Sequence, residues 1–450
     1  MQLYLLERDR QGRQGTVTIG KAQWRLTSDR FDILKTDDKS FTCVSYVWGS
    51  GRESNPFQPS SNVSDRTLPA LRAVMSCRPS CDRIWVDAFC VPVDRPEKIY
   101  TIERMGYIYA RAREVVVVLS AAAHPILEQM RVSDRLKTEH LDDLEKEEWV
   151  SRAWTYQEAM NSREFFITCE GPDNAIIHAR HFLNCLGQTL SHFEGTAYIK
   201  KHYPHLDTLQ DLITDYLGAA YPEPSALGAM SQMDRRHQQF SQDHFYAMMG
   251  AISTKLPSFN VALDPCEAFM SLCESKGDYS FIYSSAKRDS APTRHWRPAA
   301  GGLLPSILQW PTWGIGQPAH EESGSLYLDK VVLLKNLPLE DSAKAFIEVW
   351  LASDDVRVSE TTEIELAITA TLEARGFEGS SQCITTTHGF FIPTEWLSVD
   401  EDWIFVVATG VGWNFGAPGL ACRHGSQDLY VPGVFCGRVD ETAATSFKIS

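Results

Sequence analysis

A chain of 450 residues, 43% hydrophobic and 22% charged, is long enough to bury more than one core and too apolar to be disordered. Its formal net charge of −15 argues against broad contact with nucleic-acid backbones or anionic membrane surfaces. Its longest apolar runs, such as Val115 to Leu119, fall far short of a membrane span; the 11 scattered cysteines, with no N-terminal leader pattern, point to reduced thiols and a cytoplasmic location.

Residues 1–40 read as an N-terminal extension with two short strands, Met1–Leu6 and Gly15–Ile19, around the turn Asp9-Arg10-Gln11-Gly12. Residues 41–172 read as an α/β unit. Phe41 to Val47 is rich in β-branched and aromatic residues and stops before Gly49, the pattern of a buried strand and a turn. Leu68 to Cys77 follows as a helix, with Thr67 as its N-cap and Pro69 in the first turn. Ile84 to Phe89 is a second strand. After Pro96, the apolar residues Ile99, Ile102, Met105, Ile108, Tyr109 and Ala112 recur at helical spacing. Val115 to Leu119 is a continuous apolar strand of the kind found inside parallel sheets. Residues 121–148 are polar and helical, Glu148 to Met160 is a further helix, and Phe165 to Cys169 a further strand. This alternation predicts an α/β fold, a parallel sheet flanked by helices. Residues 173–295 read as a helical region and residues 296–450 as a β-rich C-terminal region, with strand-like runs at Leu326–Leu328, Phe346–Trp350 and Trp403–Val407.

Many familiar chemistries lack their residues. No glycine-rich phosphate loop of Walker or Rossmann type follows a strand, and no Gly-x-Ser-x-Gly elbow occurs. His202 and His205 are three apart but lack a third ligand, and no His-Glu-x-x-His pair exists, so no metal site is expected. Asp142, Asp143, Glu145, Glu147 and Glu148 could hold a divalent ion, but such an acidic run reads rather as a solvated helix face.

Four blocks together carry a resemblance. They are Val44-Ser45-Tyr46-Val47-Trp48-Gly49, Ile84-Trp85-Val86-Asp87-Ala88-Phe89-Cys90, the helix from Glu97-Lys98 through Met105, Ile108, Tyr109 and Ala112, and Arg152-Ala153-Trp154-Thr155-Tyr156-Gln157-Glu158-Ala159. In order and spacing they resemble the fungal heterokaryon-incompatibility (HET) family, whose N-terminal region is TIR-like. Asp243-His244-Phe245-Tyr246-Ala247-Met248-Met249-Gly250 and, more loosely, Pro305-Ser306 with Trp310-Pro311-Thr312-Trp313 are similar to later blocks of the same family. The chain departs from the pattern at Val91-Pro92-Val93, where the family usually has Ile-Asn-Gln.

The resemblance implies a role in non-self recognition and programmed cell death, and, through TIR domains, hydrolysis of NAD as substrate rather than cofactor. It implies a catalytic role for Glu158 and a ligand-binding role for Trp154, four positions earlier on the same helix face. A carboxylate there would stabilise the oxocarbenium-like transition state as the nicotinamide–ribose bond breaks; the competing role is pairing with Arg152 or Arg163. Ser45, Tyr46, Trp48 and Gly49 follow a strand end, where open α/β sheets bind ligands. Trp48 is a candidate to stack on a base and Gly49 to admit a phosphate, against core packing and a tight turn. Asp87, read inside an apolar strand, needs a partner among backbone amides or Arg152. Arg152 either binds a phosphate or pairs with Asp87 or Glu158. The expected partners are other copies of the chain in a homo-oligomer, a partner incompatibility protein and a small-molecule nucleotide. Two other readings stand beside this one: a non-catalytic assembly module, and a biosynthetic transferase using a nucleotide or aminoacyl-tRNA.

Overall fold

The structure, a computed structural model, describes residues 2–30, 40–162, 164–171, 175–193, 199, 201–213, 223–253, 263–291, 294–322, 324–354, 356–358, 360–423 and 429–449. Arg163, a possible partner for Glu158, lies outside them.

The first half is built on a sheet of eight strands. In chain order the strands are β1 (Gln2–Asp9), β2 (Val17–Ile19), β3 (Ala22–Arg30), β4 (Thr42–Tyr46), the small separate hairpin β5 (Arg52–Ser54) and β6 (Asn62–Ser64), then β7 (Arg83–Trp85), β8 (Glu114–Leu119), β9 (Phe165–Cys169) and β10 (Ile177–His178). The sheet order is β10-β9-β8-β4-β7-β1-β3-β2. Only its centre is parallel: β4 runs parallel to β7 and β8, and β8 to β9. The strand β1 joins β7 antiparallel, with Leu6 opposite Ile84, and β3 and β2 complete an antiparallel flank. The sheet is therefore mixed, and the N-terminal strands extend it. All six residues of β8 are buried, as a strand covered on both faces requires.

The helices of this half are α1 (Thr67–Cys77), α2 (Asp87–Cys90), α3 (Arg95–Ile102), α4 (Met105–Arg111), α5 (His124–Val132), α6 (Thr138–Glu145), α7 (Glu148–Ser151), α8 (Ala153–Met160) and α9 (Ala179–Leu190). Four sequence readings change here. Thr67, expected as the N-cap, is the first residue of α1, with Arg66 at the cap. The second strand stops at Trp85, so Asp87 opens the short helix α2 and does not lie within a strand. The helix expected from Pro96 to Ala112 is two helices, α3 and α4. The helix expected from Glu148 to Met160 breaks at Arg152, whose backbone is extended at φ −77° and ψ 144°. There the chain bridges to His237: His237 N donates to Ser151 O at 2.7 Å and Ala153 N to His237 O at 2.8 Å.

Helices Pro204–Ile213, Ala226–Met233, Ser241–Ala251 and Pro265–Lys276 follow. The β-rich part is a second, antiparallel eight-stranded sheet, which includes Ser325–Leu334 and Trp403–Ala408. Phe346 to Trp350 lies in the helix Asp341–Ser353, not in a strand. One continuous apolar core joins side chains from Leu3 to Ile449.

Candidate functional site

The carboxyl ends of β4 and β7 and the helix α8 meet at a polar cluster in an otherwise apolar interior. Ser45, next to last in β4, is 1% exposed and contacts two groups from the segment after the α6 turn. Its hydroxyl donates to Glu158 Oε2 and accepts from the indole nitrogen of Trp149 at 2.7 Å. The Tyr109 hydroxyl, from α4, also donates to the Glu158 carboxylate. Glu158 is only 7% exposed. Burial pushes its carboxyl pKa up to about 8; the negative charge of Asp87 adds to this, while Ser45, Tyr109 and the Arg152 charge oppose it.

Asp87 forms a second centre beside the first. Its Oδ2 accepts from Trp48 Nε1 at 2.8 Å and its Oδ1 from the backbone N–H of Ala88 at 2.7 Å. The Tyr46 hydroxyl bonds to it as well and lies 2.7 Å from Thr67 Oγ1. Loss of solvent raises the Asp87 pKa to about 6 against these bonds and the Arg152 charge. Burial and the same two acids hold the Tyr46 and Tyr109 phenols well above their usual range. Trp48 is 39% exposed, so this aromatic ring stands at the solvent side of the cluster while its nitrogen anchors Asp87.

The cluster thus gathers Ser45, Tyr46, Trp48, Asp87 and Glu158, with Arg152 near enough to act on both acids through its charge. The direct ion pair of Arg152 is with Glu148 at 3.7 Å. Two candidates fall elsewhere. A Cβ on Gly49 would come within 2.2 Å of Asp65 Oδ1, so the missing side chain makes room for the Asp65 carboxylate. Trp154 is hydrogen-bonded to Asp243, on the helix Ser241–Ala251. Tyr109, which its spacing places only on an apolar helix face, and Trp149, which the sequence gives no role, also join the cluster.

Residues 41–158 match the family model Heterokaryon incompatibility protein (HET). The chain carries a HET domain. The matched segment begins at the strand that holds Ser45 and ends on Glu158, so the two ends of the HET match meet at one hydrogen bond. The match ties the chain to a family of heterokaryon incompatibility, the non-self recognition of fungi. No curated protein and no solved structure matches the chain. The similarity block at 243–250 lies outside the HET match yet packs on it: Trp154 bonds to Asp243, and a Cβ on Gly106 would lie 2.1 Å from Gly250 O. None of the helices among the described residues is long and apolar enough to cross a membrane.

Proposed function

We propose that the HET domain binds a dinucleotide at the carboxyl end of its parallel strands and cleaves the N-glycosidic bond of NAD, with Glu158 as the catalytic carboxylate. One observation carries the reading: two adjacent desolvated acids, Glu158 and Asp87, with pKa values raised to about 8 and 6, sit at the strand ends where open α/β sheets bind ligands. A proton held by Glu158 in the resting protein leaves when a pyridinium cation approaches, because an opposite charge favours the ionised form. The carboxylate then stabilises the positive charge that develops on the ribose as nicotinamide departs. Trp48, exposed and oriented through Asp87, offers a face for the base, and Arg152 a charge for the pyrophosphate. The activity would serve non-self recognition and cell death in an assembly of several copies.

Calorimetry with carba-NAD, whose glycosidic bond is stable, in buffers of different ionisation enthalpy tests this. The proposal expects net proton release on binding at pH 7, abolished in Glu158→Gln. Binding with no proton release, or no binding, contradicts it.

A second reading also has its own observation. Glu158 is enclosed by Ser45, Tyr109 and neighbouring core, as a purely structural carboxyl would be. On that reading the domain is an assembly module, and self-association survives in Glu158→Gln with no nucleotide bound.

A further inference from the structure

We infer that a second ligand site, for a small organic anion with an apolar body, lies at the opposite edge of the first sheet. The site is a groove of about 410 Å³ between the C-terminal half of α1 and the β2–β3 hairpin. Because α1 runs back from the carboxyl end of β4, its last turn and Cys81 reach the amino ends of the parallel strands, where Cys81 Sγ lies 3.3 Å from Thr42 Oγ1. The groove is therefore separate from the Glu158 cluster.

Its walls carry four cations, Arg8, Lys21, Arg72 and Arg78, and no acidic residue, in a chain whose net charge is −15. Two of the four are committed. Arg8 donates to Pro79 O at 2.7 Å and lies 3.9 Å from Asp82, and Arg78 donates to Glu114 at 3.0 Å. Lys21 and Arg72 are exposed, and no side-chain hydrogen bond or ion pair joins either to another described residue. Lys21 is held at the rim by a two-residue turn, in which Gly20 takes the left-handed φ of +62° that such hairpin turns require at their first position.

The floor is apolar, with Ile19 and Trp24 buried and Met75 half-buried. Trp24 is 1% exposed, and its indole N–H has no acceptor among the described residues. A buried donor without a partner costs free energy that a ligand oxygen would recover. Free cations above and an apolar floor that includes the Trp24 ring suit a phosphate or carboxylate on a flat hydrophobic body. The volume falls within the small-molecule range of roughly 300–1,000 Å³.

Titration calorimetry of the full chain with 1-naphthyl phosphate tests the site. The expected result is saturable binding at one site. Lys21→Glu/Arg72→Glu, both on exposed side chains, should weaken it at least about tenfold. Trp24→Phe keeps the buried ring, removes only the N–H and should weaken binding about fivefold. Glu158→Gln should leave it unchanged. Comparison with 1-naphthoate distinguishes the two anions: equal affinity supports a general anion site, and weaker binding supports a phosphate site. Absence of saturable binding, indifference to either set of variants, or equal affinity for inorganic phosphate or for 1-naphthol overturns the inference.

Discussion

Glu158 couples the chemistry of the site to the stability of the fold. Its folded pKa, about 8, lies above the ordinary carboxyl value of 4.5. The stability it contributes is complete below pH 4.5 and is lost as pH rises through about 8, because the folded protein holds a proton that the unfolded chain has released. Glu158→Gln mimics the protonated form, so it should raise the melting temperature relative to wild type at pH 9 and leave it nearly unchanged at pH 5; a variant less stable at pH 9 would contradict the burial argument. Ser45→Ala leaves the Trp149 N–H and a Glu158 oxygen without their shared partner. It should destabilise the chain by roughly 1–3 kcal/mol in urea titration. The sequence showed Ser45, Asp87 and Glu158 as polar residues set among apolar ones. It could not show that Ser45 and Glu158, 113 positions apart, share a hydrogen bond. Tyr109 and Trp149 were hidden because an aromatic at helical spacing fills a core whether or not its polar atom also reaches a site.

Among the elements, a short window fits more than one structure. Phe346 to Trp350 reads as a strand over five residues, but over the whole helix Ala343, Ile347, Trp350 and Leu351 are buried while Val349 is 72% exposed, which is helical spacing. The break at Arg152 was invisible because what stabilises the extended residue comes from His237, 85 positions away. Buried Arg236 reinforces it, placing Nη1 3.3 Å from Val150 O and 3.2 Å from Arg152 O. The break frees α8 to turn Glu158 toward β4. Behind it, α4 packs directly on the helix Ser241–Ala251: a Cβ on Gly106 would lie 2.1 Å from the backbone oxygen of Gly250. Gly106→Ala improves intrinsic helix propensity by up to about 1 kcal/mol, yet the two helices must separate to admit the methyl group. A net loss of roughly 1–3 kcal/mol is expected by urea denaturation, and a stabilised variant would show that the contact is looser than this.

The whole molecule is more interdependent than its sequence suggests. Residues 1–40 looked like an extension, but β1 pairs with β7 and puts Leu3, Leu5 and Leu6 into the core. The central alternation of strand and helix was legible because β8 has no polar face, whereas the antiparallel flank depends on pairings that periodicity does not encode. The HET match ends at residue 158, while the helix behind α8 begins at Ser241. A fragment of residues 1–172 should therefore lack the cooperative thermal transition of the full chain, since it uncovers the face of α8 that packs on Trp154's partner Asp243 and on Gly250. A fragment melting at the full chain's temperature would show an autonomous unit.

The most direct test of the account is nicotinamide release from NAD, followed by chromatography, with concentrated full-length protein in a crowding agent beside Glu158→Gln. Release by the wild type and at least about a hundredfold less by the variant is the expected result. No release from wild-type protein shown to be folded and assembled, or equal release by both, would contradict it.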